Sequence, residues 1–437
     1  MPTPRPRGLR RFLAVLIVVY VAKQIVVALL TPPFTGHDEV AHFAYIRTLA
    51  GEQRVPTLWT DNMPFDFYRY HAFSIQWDDP EYSPLPTAVH PPLYYALMAP
   101  LYRALADRPP ETIQYVLRCA SIPFGVAIVM LASLLTRTLF PRDPFLNVTV
   151  PTVVAFQPQV SYVAAMVNND ALAIALYTVA LYVLVVILRD GATPRRSVWL
   201  GAAVGLAVLA KASALVLLAL APAAIWVEQR SVNWRRIASL TVLTYAVALT
   251  VTGPWLWFML RTYGEPTAFR ALASTQPDFT RTEATFFGLL LSGRFVVERW
   301  METWGEFGWR LIHVSPMLIA ALGVTAAVGV AGLVIEIVRY SPRDERETWR
   351  LHALVILGAA CATGYLATVQ FGVRFVLTQA RYFFPVVDAV VLLLAFGLRS
   401  RIPQRWHGLA QAVVVFAAIA MNITVYTAYV VPYWYFR

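Results

Sequence analysis

Ile319-Ala-Ala-Leu-Gly-Val-Thr-Ala-Ala-Val-Gly-Val-Ala-Gly-Leu-Val-Ile-Glu-Ile-Val338 decides the fold: it is an apolar run interrupted by one charge. About 20 such residues in a helix cross a hydrocarbon core of about 30 Å. No water in that core can satisfy an open backbone, so only helices or a closed barrel can cross it. The run lacks the apolar/polar alternation of a barrel strand and reads as helix. Comparable runs occupy 12–30, 113–140, 148–167, 171–188, 198–210, 213–227, 237–260, 313–338, 351–371, 382–398 and 408–431. With 58% of 437 residues hydrophobic and 14% charged, the chain predicts an all-α, polytopic transmembrane bundle of about 11 spans, one membrane domain over 1–437.

The net charge of +11 does not point to nucleic acid, because the arginines sit in short clusters at the ends of apolar runs and not on one continuous surface. The clusters are Arg137/Arg142, Arg189/Arg195/Arg196, Arg230/Arg235/Arg236, Arg339/Arg343/Arg346/Arg350 and Arg399/Arg401/Arg405. Read as cytoplasmic loops, they place the N-terminus inside. The two short runs flanking Lys211 allow two tilted helices, a re-entrant pair or one overlong helix. Counted as a full hairpin, they put every cluster on the same side, which favours eleven spans. The first run follows a basic Arg5-Pro-Arg-Gly-Leu-Arg-Arg11 head and lacks an A-x-A site, as in an uncleaved signal anchor of a multi-pass cell-membrane protein. Cys119 and Cys361 fall inside apolar runs, so neither a disulfide framework nor a cysteine metal site is indicated.

Two long segments, 31–111 and 261–312, then face the extracytoplasmic side. Structureless loops of that length are uncommon. Residues 39–50 and 92–105 carry amphipathic patterns rich in Tyr, Phe and Leu, as expected of interfacial helices, so the first loop is expected to be a folded cap. There is no internal repeat, Gly-rich phosphate loop or dinucleotide fingerprint.

The charged residues of these loops carry the chemistry. Gly36-His-Asp-Glu-Val-Ala-His-Phe43 sets Asp38 and Glu39 at a helix start, where carboxylates serve equally as first-turn residues. Read functionally, Asp38 is a general base whose pKa is raised by Glu39 and by partial burial. His37, His42, His71 and His90 share the loop. Glu39-x-x-His42 has a spacing found in carboxylate metal sites, against the blander reading of interfacial hydrogen bonding. Asn168, Asn169 and Asp170 stand between two spans, as caps of a hairpin or as site residues. Lys211 is a lone cation between apolar runs, functional or snorkelling to the interface. Arg381 reaches the same boundary with Asp388 deeper in its run as a candidate partner. Two cations beside the outer leaflet suit a lipid phosphate.

Taken together, the motifs resemble the GT-C superfamily of membrane glycosyltransferases, especially bacterial relatives of protein O-mannosyltransferase and aminoarabinose transferase. The resemblance rests on Asp38-Glu39, His90-Pro91-Pro92-Leu93-Tyr94, Asn168-Asn169-Asp170, Gly205-Leu206 to Lys211, Gly253-Pro254-Trp255 with Tyr263-Gly264-Glu265-Pro266, Trp304-Gly305-Glu306-Phe307-Gly308-Trp309, and Gln379 to Pro385. It implies sugar transfer from a polyprenyl-phosphate donor to an acceptor hydroxyl of a glycan, lipid or protein, on the extracytoplasmic face and with inversion. Asp38 would be the base, Glu39 its support, and His42, His90, Asn169, Asp170, Lys211, Glu306, Arg381 and Tyr382 the substrate-binding set. His90 stands where relatives commonly carry a lysine. No nucleotide or other cofactor is required, and a divalent metal is an open alternative. The competing class, a secondary transporter or lipid flippase, would show internal repeats and ionisable groups at mid-depth.

Overall fold

The computed structural model describes residues 6–64, 83–228, 233–308, 310–339 and 348–436. Arg5, His71, Arg230, Trp309, Arg343 and Arg346 lie outside them.

Each of the eleven apolar runs is built mainly of helix. The first is α1 (Pro6–Leu30), followed by α2 (Glu39–Gly51) and α3 (Leu93–Ala104) in the first long loop. Then come α4 (Pro110–Leu139), α5 (Pro144–Phe156), α6 (Pro158–Ala164), α7 (Asp170–Asp190), α8 (Pro194–Ala210), α9 (Leu217–Glu228) and α10 (Trp234–Tyr263). The second long loop holds α11 (Phe269–Thr275), α12 (Phe286–Leu290), α13 (Gly293–Gly305) and a two-residue hairpin, β1 (Glu306–Phe307) with β2 (Ile312–His313). The chain closes with α14 (Pro316–Arg339), α15 (Thr348–Arg374), α16 (Val387–Arg401), α17 (His407–Thr424) and α18 (Val431–Tyr435). Among the described residues, eight helical segments are long and apolar enough to cross a membrane. The protein is therefore a multi-pass membrane protein.

The runs outside that set of eight are short for physical reasons. Pro158 separates α5 from α6 and leaves carbonyls that no helical N–H can reach. In a membrane those groups need other donors. Lys23 Nζ donates to the Ala155 carbonyl and to Ser161 Oγ, Asn422 Nδ2 to the Phe156 carbonyl at 3.0 Å, and Gln24 Nε2 to the Ser161 carbonyl at 3.0 Å. The polar residues of α1 and α17 thus mend a broken helix. At Lys211 the backbone is extended (φ −156°, ψ 125°) and ends α8, and a 3-10 turn (Ala212–Val216) leads into α9. A single overlong helix through Lys211 is thereby excluded.

Burial orders the bundle from centre to rim. In the apolar window of α7, 72% of residues are buried, against 17% for α14, so α7 is the central helix and α14 a peripheral one. Peripheral α14 still docks tightly: a Cβ on Gly332 or Gly397 would run into the facing backbone of α16 or α14, so glycine permits that approach. α10, at 30 residues or roughly 45 Å, overreaches the hydrocarbon core. Its end supports the first loop, where Tyr263 Oη accepts from the Leu58 N–H at 3.1 Å and the Thr262 carbonyl from Trp59 Nε1 at 3.3 Å. α2 and α3 pack on α4, α7 and α10 through Phe43, Tyr45, Tyr94 and Tyr95. The expected helices at 39–50 and 92–105 are thus present, within two residues of the expected bounds.

Candidate functional site

One end of the bundle gathers the N-termini of α2 and α7, the C-terminus of α8 and the 3-10 turn Ala380–Val386 ahead of α16. Asp38 precedes α2 in the left-handed region (φ 53°, ψ 15°), which aspartate tolerates better than most side chains. Its carboxylate makes no capping bond to α2. It accepts instead from Arg381 Nη2, at the other end of the sequence. Nη1 of the same guanidinium reaches Asp170 Oδ2 at 3.4 Å, and Asp170 Oδ1 accepts from Lys211 Nζ. Lys211 also lies over the Tyr382 ring, 4.9 Å from its centroid. Asp38, Arg381, Asp170 and Lys211 therefore form one chain of alternating charge, with Asp38 its most open member at 30% side-chain exposure. Burial pushes the Asp38 carboxyl up, but Arg381 with His42 and His37 outweighs it, leaving the pKa below the usual carboxylate value.

This corrects two expectations. The partner of Arg381 is not Asp388, which is fully buried in α16, but the pair Asp38 and Asp170. Nor is the Asp38 pKa raised by its neighbour. Glu39 points the other way because α2 turns successive side chains by about 100°. Its Oε1 accepts from Arg118 Nε at 2.7 Å and the Val167 N–H at 2.9 Å, and its Oε2 from Arg118 Nη2 at 2.6 Å and the Gly36 N–H at 3.1 Å. Arg118 spends its remaining donors on the carbonyls of Ala28, Thr31 and Pro32. Both side chains are wholly buried. Glu39 and Arg118 thus clamp the end of α1, the start of the first loop, α4 and the turn before α7.

Around the charged chain lies an aromatic and histidine shell. Tyr95 Oη sits between His42 Nδ1 at 2.8 Å and His90 Nδ1 at 3.1 Å. Burial pushes both imidazoles down, His90 to about 4, with Lys211 and Arg381 adding to the effect there. His37 is likewise held at about 4, chiefly by burial and then by Arg381. These histidines are neutral near pH 7. Asn169 Nδ2 donates to the Ala210 carbonyl at 2.7 Å, tying the start of α7 to the residue before Lys211, while Asn168 Oδ1 accepts the Asp170 N–H at 2.9 Å. The Glu39-x-x-His42 spacing does not converge, since Glu39 is saturated by Arg118 and His42 faces Tyr95. Among the described residues no three His, Cys, Asp or Glu side chains are arranged to hold a metal ion.

Glu306 approaches from the second long loop. It shares a small cavity of about 20 Å³ with His37, Gln159, Glu302, Arg310 and Arg381. That cavity shares Glu302, Glu306 and Arg310 with a larger one of about 600 Å³, which opens between α12, α13 and the hairpin. Glu302 accepts from Arg299 and Arg310, each at 2.6 Å, and from the Ala380 N–H at 2.7 Å. It therefore fixes the backbone beside Arg381. Glu302, Arg310, Arg118 and Tyr95 were not legible as site residues, although Arg118, a lone cation in an apolar run, satisfies the criterion that singled out Lys211.

Residues 89–258 match the dolichyl-phosphate-mannose-protein mannosyltransferase family. No curated protein sequence matches the chain. Among solved structures, it is similar to ArnT from Cupriavidus metallidurans bound to undecaprenyl phosphate, at 15% identity and TM-score 0.56 over 92% of this chain and 62% of that one. It is also similar to the archaeal oligosaccharyltransferase AglB from Archaeoglobus fulgidus in complex with an inhibitory peptide and a dolichol-phosphate, at 16% identity and TM-score 0.55 over 95% of this chain and 55% of that one. The chain thus spans less than two thirds of the length of either structure. The chain thus matches that family across its central helices and shares its fold with both structures over more than nine-tenths of its residues.

Proposed function

We propose that the protein transfers a sugar from a polyprenyl-phosphate-linked donor to an acceptor hydroxyl, with inversion, on the extracytoplasmic face. The observation that carries this reading is the chain Asp38–Arg381–Asp170–Lys211 at one end of the bundle. A phosphodiester leaving group gains negative charge as the bond from its oxygen to the anomeric carbon breaks, and preorganised cations stabilise that charge. Arg381 and Lys211 fit this role. Each is held in place by a carboxylate that an incoming phosphate would partly displace. As Arg381 turns to the phosphate, Asp38 loses its closest cation and becomes a stronger base. It then takes the acceptor proton while the acceptor oxygen bonds to the anomeric carbon and polyprenyl phosphate departs.

Neutral His42 and His90 offer hydrogen bonds without adding charge, which suits sugar hydroxyls, as does the Tyr382 ring over which Lys211 sits. The acceptor enters through the larger cavity beside Glu306. Arginine clusters at the opposite helix ends support a cytoplasmic N-terminus, in a bacterial plasma membrane by resemblance. To test the reading, purified protein is offered a panel of polyprenyl-phosphate sugars and the released polyprenyl phosphate is measured by mass spectrometry. One donor is expected to be turned over. If none is bound or hydrolysed by folded protein, the reading fails.

A further inference from the structure

We propose a second phosphate site, for the headgroup of an anionic phospholipid, at the end of the bundle opposite Asp38. α16 and its leading turn join the two ends: Arg381 to Arg399 is roughly 27–30 Å of helix, about the thickness of a hydrocarbon core. At that far end a cavity of about 960 Å³ opens between the end of α4, the starts of α5, α15 and α17, and the end of α16. Among the described residues, Arg142, Arg350, Arg399 and Arg405 line it, with Asp143 the one acid. Asp143 is already engaged, its Oδ2 2.5 Å from Arg399 Nε, while its other oxygen caps α5 by accepting the Leu146 N–H at 3.1 Å. Arg142 and Arg405 are exposed at the rim. Among the described residues of its lining, Arg142 and Arg405 therefore supply positive charge beyond the Asp143–Arg399 pair.

Arginines at cytoplasmic helix ends need no ligand to explain them, since they are the ordinary topology signal. What separates these from the Arg189/Arg195/Arg196 cluster is concavity: three distant loops bring them around one hollow with an apolar wall of Leu139 and Phe145. Depth supplies the second argument. Trp406, 49% exposed beside the cavity and 5.8 Å from the Arg405 guanidinium, is the kind of aromatic residue that marks the headgroup layer. A basic hollow between transmembrane helices at that level matches a lipid phosphate with its acyl chains lying along the bundle.

The test is native mass spectrometry of the full chain in detergent, titrated with phosphatidylglycerol or cardiolipin, with phosphatidylethanolamine, and with inorganic phosphate as competitor. We expect retained anionic-lipid adducts, few phosphatidylethanolamine adducts, and no displacement by millimolar phosphate. The Arg142→Ala/Arg405→Ala double variant should lose on the order of tenfold in anionic-lipid affinity, while Arg189→Ala/Arg195→Ala should retain it. Unchanged thermal unfolding verifies that the variants fold. Equal binding of both lipid classes, equal loss in the two double variants, or displacement by free phosphate would each overturn the proposal. None of these outcomes depends on sugar transfer.

Discussion

Asp38 and Glu39 are neighbours in sequence, and each is paired with an arginine far along the chain, yet the two pairs are built for different purposes. Glu39–Arg118 is fully buried and closed: every donor of the guanidinium that the fold can reach is used, and both carboxylate oxygens accept twice. Asp38–Arg381 is open on one side and shared with Asp170, so its guanidinium has alternatives. A saturated pair fixes backbone; an unsaturated one can exchange partners. On the proposed reading, the acidic doublet thus serves both as an architectural clamp and as a reactive group.

The largest expected effect breaks the closed pair. Glu39→Ala leaves the Arg118 charge buried without its carboxylate, a loss of about 3–5 kcal/mol for such pairs. Arg118→Met should cost a similar amount. Both should show in thermal unfolding of detergent-purified protein, whereas Asp38→Asn should unfold close to the parent. Unchanged stability in Glu39→Ala would erase the distinction between the pairs.

Next come the cations of the open pair. Arg381→Gln and Lys211→Gln each remove a charge-assisted contact to the donor phosphate, so affinity for polyprenyl phosphate should fall about ten- to hundredfold. A titration in which both variants bind as the parent does would place the phosphate elsewhere. A smaller effect separates Glu302, which reaches Arg381 only through the Ala380 N–H. Glu302→Gln should lower kcat severalfold with little change in stability, and Glu302→Asp should restore part of it. An unaltered kcat would remove it as a positioning residue.

A further effect is in pH dependence. His37 and His90 are held near pKa 4 in the fold against an ordinary 6.5. Between those values the unfolded chain binds protons that the folded chain does not, so stability is full above about pH 6.5 and declines as pH falls toward about 4. Melting temperature measured across that window should fall on acidification, and His90→Gln should flatten the curve. A melting temperature that rises on acidification would contradict the buried, neutral shell.

Much of this was readable from residues. Asp170, Lys211 and Arg381 stand out because a charge at the edge of an apolar run is expensive and needs a reason, and Asp38 because the doublet follows the first span. The presence of helices α2 and α3 follows from the apolar, aromatic-rich pattern, but α2 is buried on nearly every side and is not the amphipathic interfacial helix expected. Side-chain direction was not readable: α2 begins between two acids, and the turn of that helix sends one carboxylate to each of two arginines. Asp388 is the expected partner of Arg381 because it is near in sequence, while Asp38 lies 343 residues away and meets Arg381 only when the bundle closes. Glu302 gave no signal, because on an amphipathic helix such as α13 an acid is the expected residue of a solvated face. The break at Pro158 was hidden because proline in an apolar run can kink a span without ending it.

The central claim, that Asp38 is the base of a glycosyl transfer, is tested most directly by single-turnover kinetics of Asp38→Asn on a verified donor and acceptor, alongside its donor affinity. Removing only the proton acceptor should slow the chemical step by about two to four orders of magnitude, the usual range for a general base, with donor affinity close to the parent's. In the parent the acid limb of kcat/KM, which reports the donor-free enzyme, should lie below the usual carboxylate range, because Arg381 holds the Asp38 pKa down there. Folded Asp38→Asn protein that turns over at the parent's rate would contradict the account.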